Sequence, residues 1–91
     1  MPRRIGEVVN YYPRVRAASI RVDEGELHDG DLIRIVGHGH EITEPVRSLE
    51  LDHRRIHTAY AGETIGVSVE APVHPRDAVY VLEEPDDAAE D

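Results

Sequence analysis

The sequence predicts a small all-β domain, six short antiparallel strands closed into a barrel. Three observations carry that prediction. Runs of β-branched and other apolar residues recur at intervals of roughly 8 to 15 residues. Gly, Asp and Pro punctuate the runs, and no window carries the 3.6-residue apolar rhythm of a helix. Closure would also remove the exposed edges through which strands aggregate. The 91 residues amount to one domain with one core.

The strands follow in order. Ile5 to Tyr12, IGEVVNYY, is β-prone, and Pro13, with no N–H to donate, stops it. Ala17 to Val22 alternates Ala18, Ile20 and Val22 with Ala17, Ser19 and Arg21, and pairs antiparallel with the first strand. Asp23 to Glu26 and Leu27 to Asp31 read as two turns, after which LIRIV leads to Gly37. His38 to Glu41 is a further turn. Pro45 marks an edge, a bulge or a start, so the fourth strand is set from about Val46 to Leu51. Asp52 to Tyr60 has no periodicity and reads as a loop with Ile56 anchored in the core.

After the Ala61-Gly62-Glu63 turn, Ile65, Val67 and Val69 alternate with Thr64, Gly66 and Ser68 in the two-residue period of a half-buried strand. Gly62 suits a turn of positive φ, and Gly66 suits a close backbone approach. Ala71 to Asp77 is a proline-punctuated connection, and Ala78 to Leu82 is the last strand. Residues 1–82 thus form the barrel. Residues 83–91 form an acidic disordered tail that holds six of the 19 acidic residues and no basic one.

Composition narrows the function. There is no cysteine, hence no disulfide, thiol nucleophile or thiolate zinc site. With no Phe or Trp, the core is aliphatic, and some of Tyr11, Tyr12, Tyr60 and Tyr80 should be partly exposed. No apolar run approaches the ~18 residues of a membrane span, and no signal-peptide pattern follows Met-Pro-Arg-Arg, so a cytoplasmic monomer away from membranes is expected. The net charge of −9, with arginine as the only strong base, argues against non-specific nucleic-acid binding but leaves room for a local basic patch.

Four stretches carry a resemblance: Gly30 to Gly37, Val46 to Leu51, Ala59-Tyr60-Ala61-Gly62-Glu63-Thr64-Ile65-Gly66-Val67, and Ala71 to Leu82. The third matches the pattern A-x-A-G-[DE]-x-[IV]-G. In unbroken order over residues 5–82, the chain resembles the second domain of translation GTPases, the β-barrel of elongation factor Tu and its relatives. It departs from them in lacking any G-x-x-x-x-G-K-[ST] phosphate loop, which removes GTP hydrolysis, and in having Asp77-Ala78-Val79 where a glycine commonly precedes the last strand. What remains is similar to stand-alone elongation-factor-like proteins and to the barrel appended to collagenase-like peptidases, in which the barrel is an accessory module.

The histidines form only pairs, His38 with His40 and His53 with His57. A metal needs three or four converging ligands, so no metal and no cofactor is assigned. Counting back from Gly30 puts Gly25 and Leu27 where a calcium loop needs acidic or amide ligands, and that frame fails. No spacing singles out a catalytic triad or carboxylate pair, so the chain is read as a non-enzyme.

The remaining candidate is a surface of Arg47, Glu50, His53, Arg54, Arg55 and His57. The resemblance implies contact with the aminoacylated end of tRNA, since Glu50 falls on a family glutamate and His53 and Arg54 fall on basic positions. Guanidinium groups can pair with phosphate and stack on bases, whereas a solvated loop whose arginines pair with nearby acids is equally compatible with the residues. Two functions are therefore weighed: a translation-associated module touching tRNA or ribosomal RNA, and a barrel that docks on a protein partner.

Overall fold

The computed structural model describes residues 2–82, so the expected tail at 83–91 lies outside the described residues. Among the described residues there are ten strands: β1 Arg3–Tyr12, β2 Ala17–Val22, β3 Glu26–His28, β4 Leu32–Gly37, β5 His40–Pro45, β6 Leu49–Leu51, β7 Arg54–Ile56, β8 Thr58–Tyr60, β9 Thr64–Ser68 and β10 Ala78–Leu82. The all-β, antiparallel prediction holds, and no helix occurs among the described residues. The six-stranded closed barrel does not. Eight strands form one sheet in the order β5-β4-β10-β1-β2-β9-β6-β7, whose ends do not pair, and β3 and β8 form a separate ribbon.

β1 is the hub because it is long enough to pair two strands in succession. Arg3 to Glu7 pair with β10, and Gly6 to Tyr12 pair with β2. The register shifts between Arg4 and Gly6 and again between Val8 and Asn10. Such bulges bend a strand and increase its twist, which curls the sheet around its inner face. That face holds Ile5, Val8, Ile20, Val22, Ile33, Ile35, Leu49, Ile65, Val67 and Val79, and Leu27 of β3 and Val73 of the connection before β10 join them, all fully buried. The core is aliphatic as composition required. Tyr12 and Tyr60 are exposed, and Tyr11 packs against the core from its margin.

The seam of the curled sheet is closed by a side chain. Glu44 lies on the edge strand β5, with its side chain only 9% exposed. Both its carboxylate oxygens accept from Glu70 N–H at 3.0 Å, and Oε2 also accepts from Ala71 N–H at 3.1 Å, just past β9. Pro45 ends β5, in keeping with an edge position, because proline cannot extend a ladder. The chain then leaves for the opposite side of the sheet. Val46 is held in passing by hydrogen bonds with Asp31 O and Gly30 N–H.

The remaining differences have local causes. The strand expected from about Val46 to Leu51 is shorter: β5 ends at Pro45, Val46 turns inward to the core, and only Leu49–Leu51 pair as β6. Asp52 to Tyr60 contains β7 and β8 rather than a loop, and the turns at 23–31 contain β3. Three-residue strands are too short to display a period. At the β6–β7 hairpin, Asp52 (φ 54°) and His53 (φ 66°) link Leu51 to Arg54, and positive φ at both central residues is the signature of a type I′ turn. Asp-His in place of Asn-Gly or Asp-Gly hides that hairpin from a composition rule.

A histidine in the left-handed region costs roughly 1–2 kcal/mol, part of which glycine returns through its freer unfolded state. His53→Gly is therefore expected to stabilise the domain by about 0.5 kcal/mol, read as a higher urea midpoint at unchanged slope. A lower midpoint would show that the imidazole makes compensating contacts.

Gly62 has φ 96°, as its turn required. Gly66 is not a close approach: a Cβ there would sit 3.9 Å from Glu50 Cβ, an ordinary contact. The tight glycines are Gly6 and Gly37. On the surface, the guanidinium of Arg21, 2.7 Å from Asp23, holds the Asp23 carboxyl below its ordinary value of 3.8. The stability contributed by this exposed pair is thus present above that value and drains away as pH falls through the lowered one.

Candidate partner-binding surface

The six expected surface residues do not form one site. The β6–β7 hairpin brings Glu50, His53, Arg54 and Arg55 together, with Glu50 opposite Arg55 in the ladder. Arg47 sits instead on the seam, where Nη1 donates to Glu44 Oε1 at 3.2 Å and Nη2 lies 3.7 Å from Glu70. His57 belongs to the β3–β8 end of the molecule, its Nδ1 2.6 Å from Asp29 Oδ2. Of the six, only Arg54 and Arg55 are exposed cations with no ion-pair partner among the described residues.

Beside the hairpin lies a groove of about 450 Å³. Glu50 and His53 form one wall, Ser48 and Ser68, hydrogen-bonded through their hydroxyls at 2.9 Å, lie along it, and Val15 stands at its rim. Val15 is 70% exposed, in the turn between β1 and β2, flanked by the exposed Arg14 and Arg16. Tyr12, the last residue of β1 before that turn, is 45% exposed. The hydroxyls and Glu50 offer fixed polar contacts, Val15 and Tyr12 offer apolar area, and Arg14, Arg16, Arg54 and Arg55, with no ion-pair partner among the described residues, supply positive charge on an acidic chain. Sequence reasoning found the hairpin half of this surface and missed Val15, because only the sheet order β2-β9-β6-β7 places the first turn beside the β6 hairpin.

A second constellation lies elsewhere. His40 at the start of β5, His74 and Asp77 bring ligand-type atoms within 4.8 Å of one another beside a cleft of about 290 Å³, with His38 on its wall. The sequence pairing of His38 with His40 missed it, since its other members lie on the connection before β10.

No family model matches the sequence. Over 81 residues, 88% of this chain, it is 37% identical to an uncharacterized protease of Methanocaldococcus jannaschii. Over 77 residues, 84% of the chain, it is 30% identical to a collagenase of Porphyromonas gingivalis. These stretches are 20% and 21% of the relatives' own lengths, so the chain spans about a fifth of the proteins it matches. Among solved structures, the C-terminal domain of a protein described as a U32 peptidase in Geobacillus thermoleovorans superposes with a TM-score of 0.80, at 16% identity, over 87% of this chain and 91% of that one. That likeness shows a shared fold.

These findings overturn the assignment to the elongation-factor barrel and, with it, the tRNA or ribosomal RNA role for Arg47, Glu50, His53, Arg54, Arg55 and His57. The relatives carry protease names, and the fold neighbour is a peptidase's C-terminal domain. The misleading motif has a physical basis. Ala-x-Ala-Gly-Glu-x-Ile-Gly encodes a positive-φ turn followed by an alternating strand, which any small antiparallel domain can use. The similarity to the accessory barrel of collagenase-like peptidases pointed in the direction the relatives take.

Proposed function

We propose that this chain is a non-catalytic docking domain that packs against the catalytic part of a peptidase-type protein through the groove between Val15 and the β6–β7 hairpin. The observation that supports this most is the extent of the match, about a fifth of relatives named protease and collagenase. A compact β domain of that share fits an accessory module better than a whole enzyme. The surface favours an acidic facing patch, because Arg14, Arg16, Arg54 and Arg55 have no ion-pair partner among the described residues. Val15 supplies an exposed apolar anchor amid that charge, the arrangement of a small hot spot with a charged rim.

The test uses the domain and the catalytic part of a collagenase-like peptidase from the same genome, purified separately and mixed in analytical ultracentrifugation. A saturable complex is expected, weakened by at least ~10-fold (about 1.4 kcal/mol) in a Val15→Asp, Arg54→Glu double variant and weakened further by salt. Absence of association at about 100 µM, or an undiminished complex with the double variant, would reject the reading.

A further inference from the structure

We propose that His40, His74 and Asp77 form a binding site for a divalent transition-metal ion, with zinc the best match to the donor set. The inference is independent of the docking surface. It rests on three side chains from two separate segments converging on one point. His40 Nε2 lies 2.8 Å from Asp77 Oδ2, His74 Nδ1 lies 3.9 Å from the same oxygen, and the three ligand atoms fall within 4.8 Å of each other. In a tetrahedral zinc site with bonds of about 2.0–2.2 Å, neighbouring ligand atoms stand roughly 3.3–3.5 Å apart. The first contact would open and the second close by about half an ångström each, and the two imidazole ligand atoms, within 4.8 Å of each other, would close by up to about 1.5 Å. The His74 side chain, 66% exposed, can make that movement by rotating in solvent.

The site is held in shape before any ion arrives. Asp77 is 5% exposed, and its Oδ2 accepts from the His74 backbone N–H at 2.9 Å. Asp77 N–H donates back to His74 O at 3.1 Å, closing a turn with Pro75 and Arg76, the latter at φ 79°. Positive φ at the third residue of a turn, directly after a proline, is the type II pattern, which ordinarily takes glycine there. The carboxylate packs over Gly37, where a Cβ would overlap Asp77 Oδ1 and lie 2.7 Å from His40 Cε1. Glycine at 37 therefore makes room for the pair. The two imidazole rings are 4.9 Å apart and tilted by 54°, not stacked.

Two imidazoles and a carboxylate suit zinc and its neighbours rather than calcium or magnesium, which prefer all-oxygen shells. The adjoining cleft leaves space for a fourth ligand, a water or the exposed His38. On binding, nitrogen and carboxylate lone pairs go to the ion, and the hydrogen bond between His40 Nε2 and Asp77 Oδ2 gives way to the two metal bonds, with neutral His40 in the tautomer that carries its proton on Nδ1. The ion would tie the start of β5 to the connection before β10.

Isothermal titration of the tag-free chain with zinc chloride in a weakly coordinating buffer at neutral pH is expected to give one ion per chain and a rise in Tm. The affinity should fall by at least ~100-fold in His74→Ala and remain unchanged in a His53→Gln, His57→Gln control. In His ring NMR spectra, zinc should shift His40 and His74 selectively. His74 is exposed, so its variant should fold even if His40→Ala does not. No saturable binding tighter than about 1 mM, or binding that survives His74→Ala, would overturn the site.

Discussion

Gly6→Ala is expected to destabilise the domain by about 3 kcal/mol or more, among the largest effects available to a single methyl group here. Gly6 is buried where β1 passes from its pairing with β10 to its pairing with β2, opposite both Val79 and Val22. A Cβ at this position would overlap the carbonyl oxygen of Arg21 and stand 3.0 Å from its carbonyl carbon. The obstacle is backbone, which cannot rotate away as a side chain can. β1 and β2 would have to separate at the bulge, where Ile5 O also accepts from Asp23 N–H at 2.7 Å. Gly66→Ala is the matched control, since its Cβ would meet only ordinary contacts, and it should be close to neutral. Urea melts of the two variants decide the matter. A Gly6→Ala midpoint near that of the parent would mean that the bulge yields more readily than its packing suggests.

Glu44→Ala is expected to cost about 3 kcal/mol. Its carboxylate is the acceptor for the Glu70 and Ala71 amides, and its loss strips two backbone donors of their partner at the seam of the sheet. Arg47 also contacts Glu44, but its side chain is 45% exposed, and an ion pair open to water contributes at most about 1 kcal/mol. Arg47→Ala should therefore have a small effect and Glu44→Ala a large one. Equal losses in thermal or urea unfolding would instead assign the seam to the ion pair. In hydrogen exchange, the Glu70 and Ala71 amides should lose protection in Glu44→Ala before the β1–β2 ladder does.

The aliphatic core, the β1–β2 hairpin, β4, β9 and β10 were legible because their alternation is long enough to show a period and their ends carry Pro or Gly. β3, β6, β7 and β8 are three residues each, and their pairing comes from neighbours brought in by the rest of the sheet. The edge role of Pro45 was readable from its missing N–H. The use of Glu44 was not, because nothing local marks a glutamate whose partners lie 26 and 27 residues away. The candidate surface divided in the same manner. Glu50 through Arg55 are adjacent in sequence and stayed together, whereas Arg47 turned to the seam, His57 turned to Asp29, and Val15 arrived from a distant turn.

Side-chain alternation and turn chemistry are properties of the local chain, and they suffice to specify an antiparallel all-β domain with an aliphatic core. Long-range packing is what leaves the sheet open across eight strands and seals its seam with Glu44. It alone placed His40 beside His74 and Asp77, a meeting fixed by the β4–β10 pairing and by the space left at Gly37. The reason is the same in each case: a period of two residues specifies which face a side chain takes, but not which distant strand it will face.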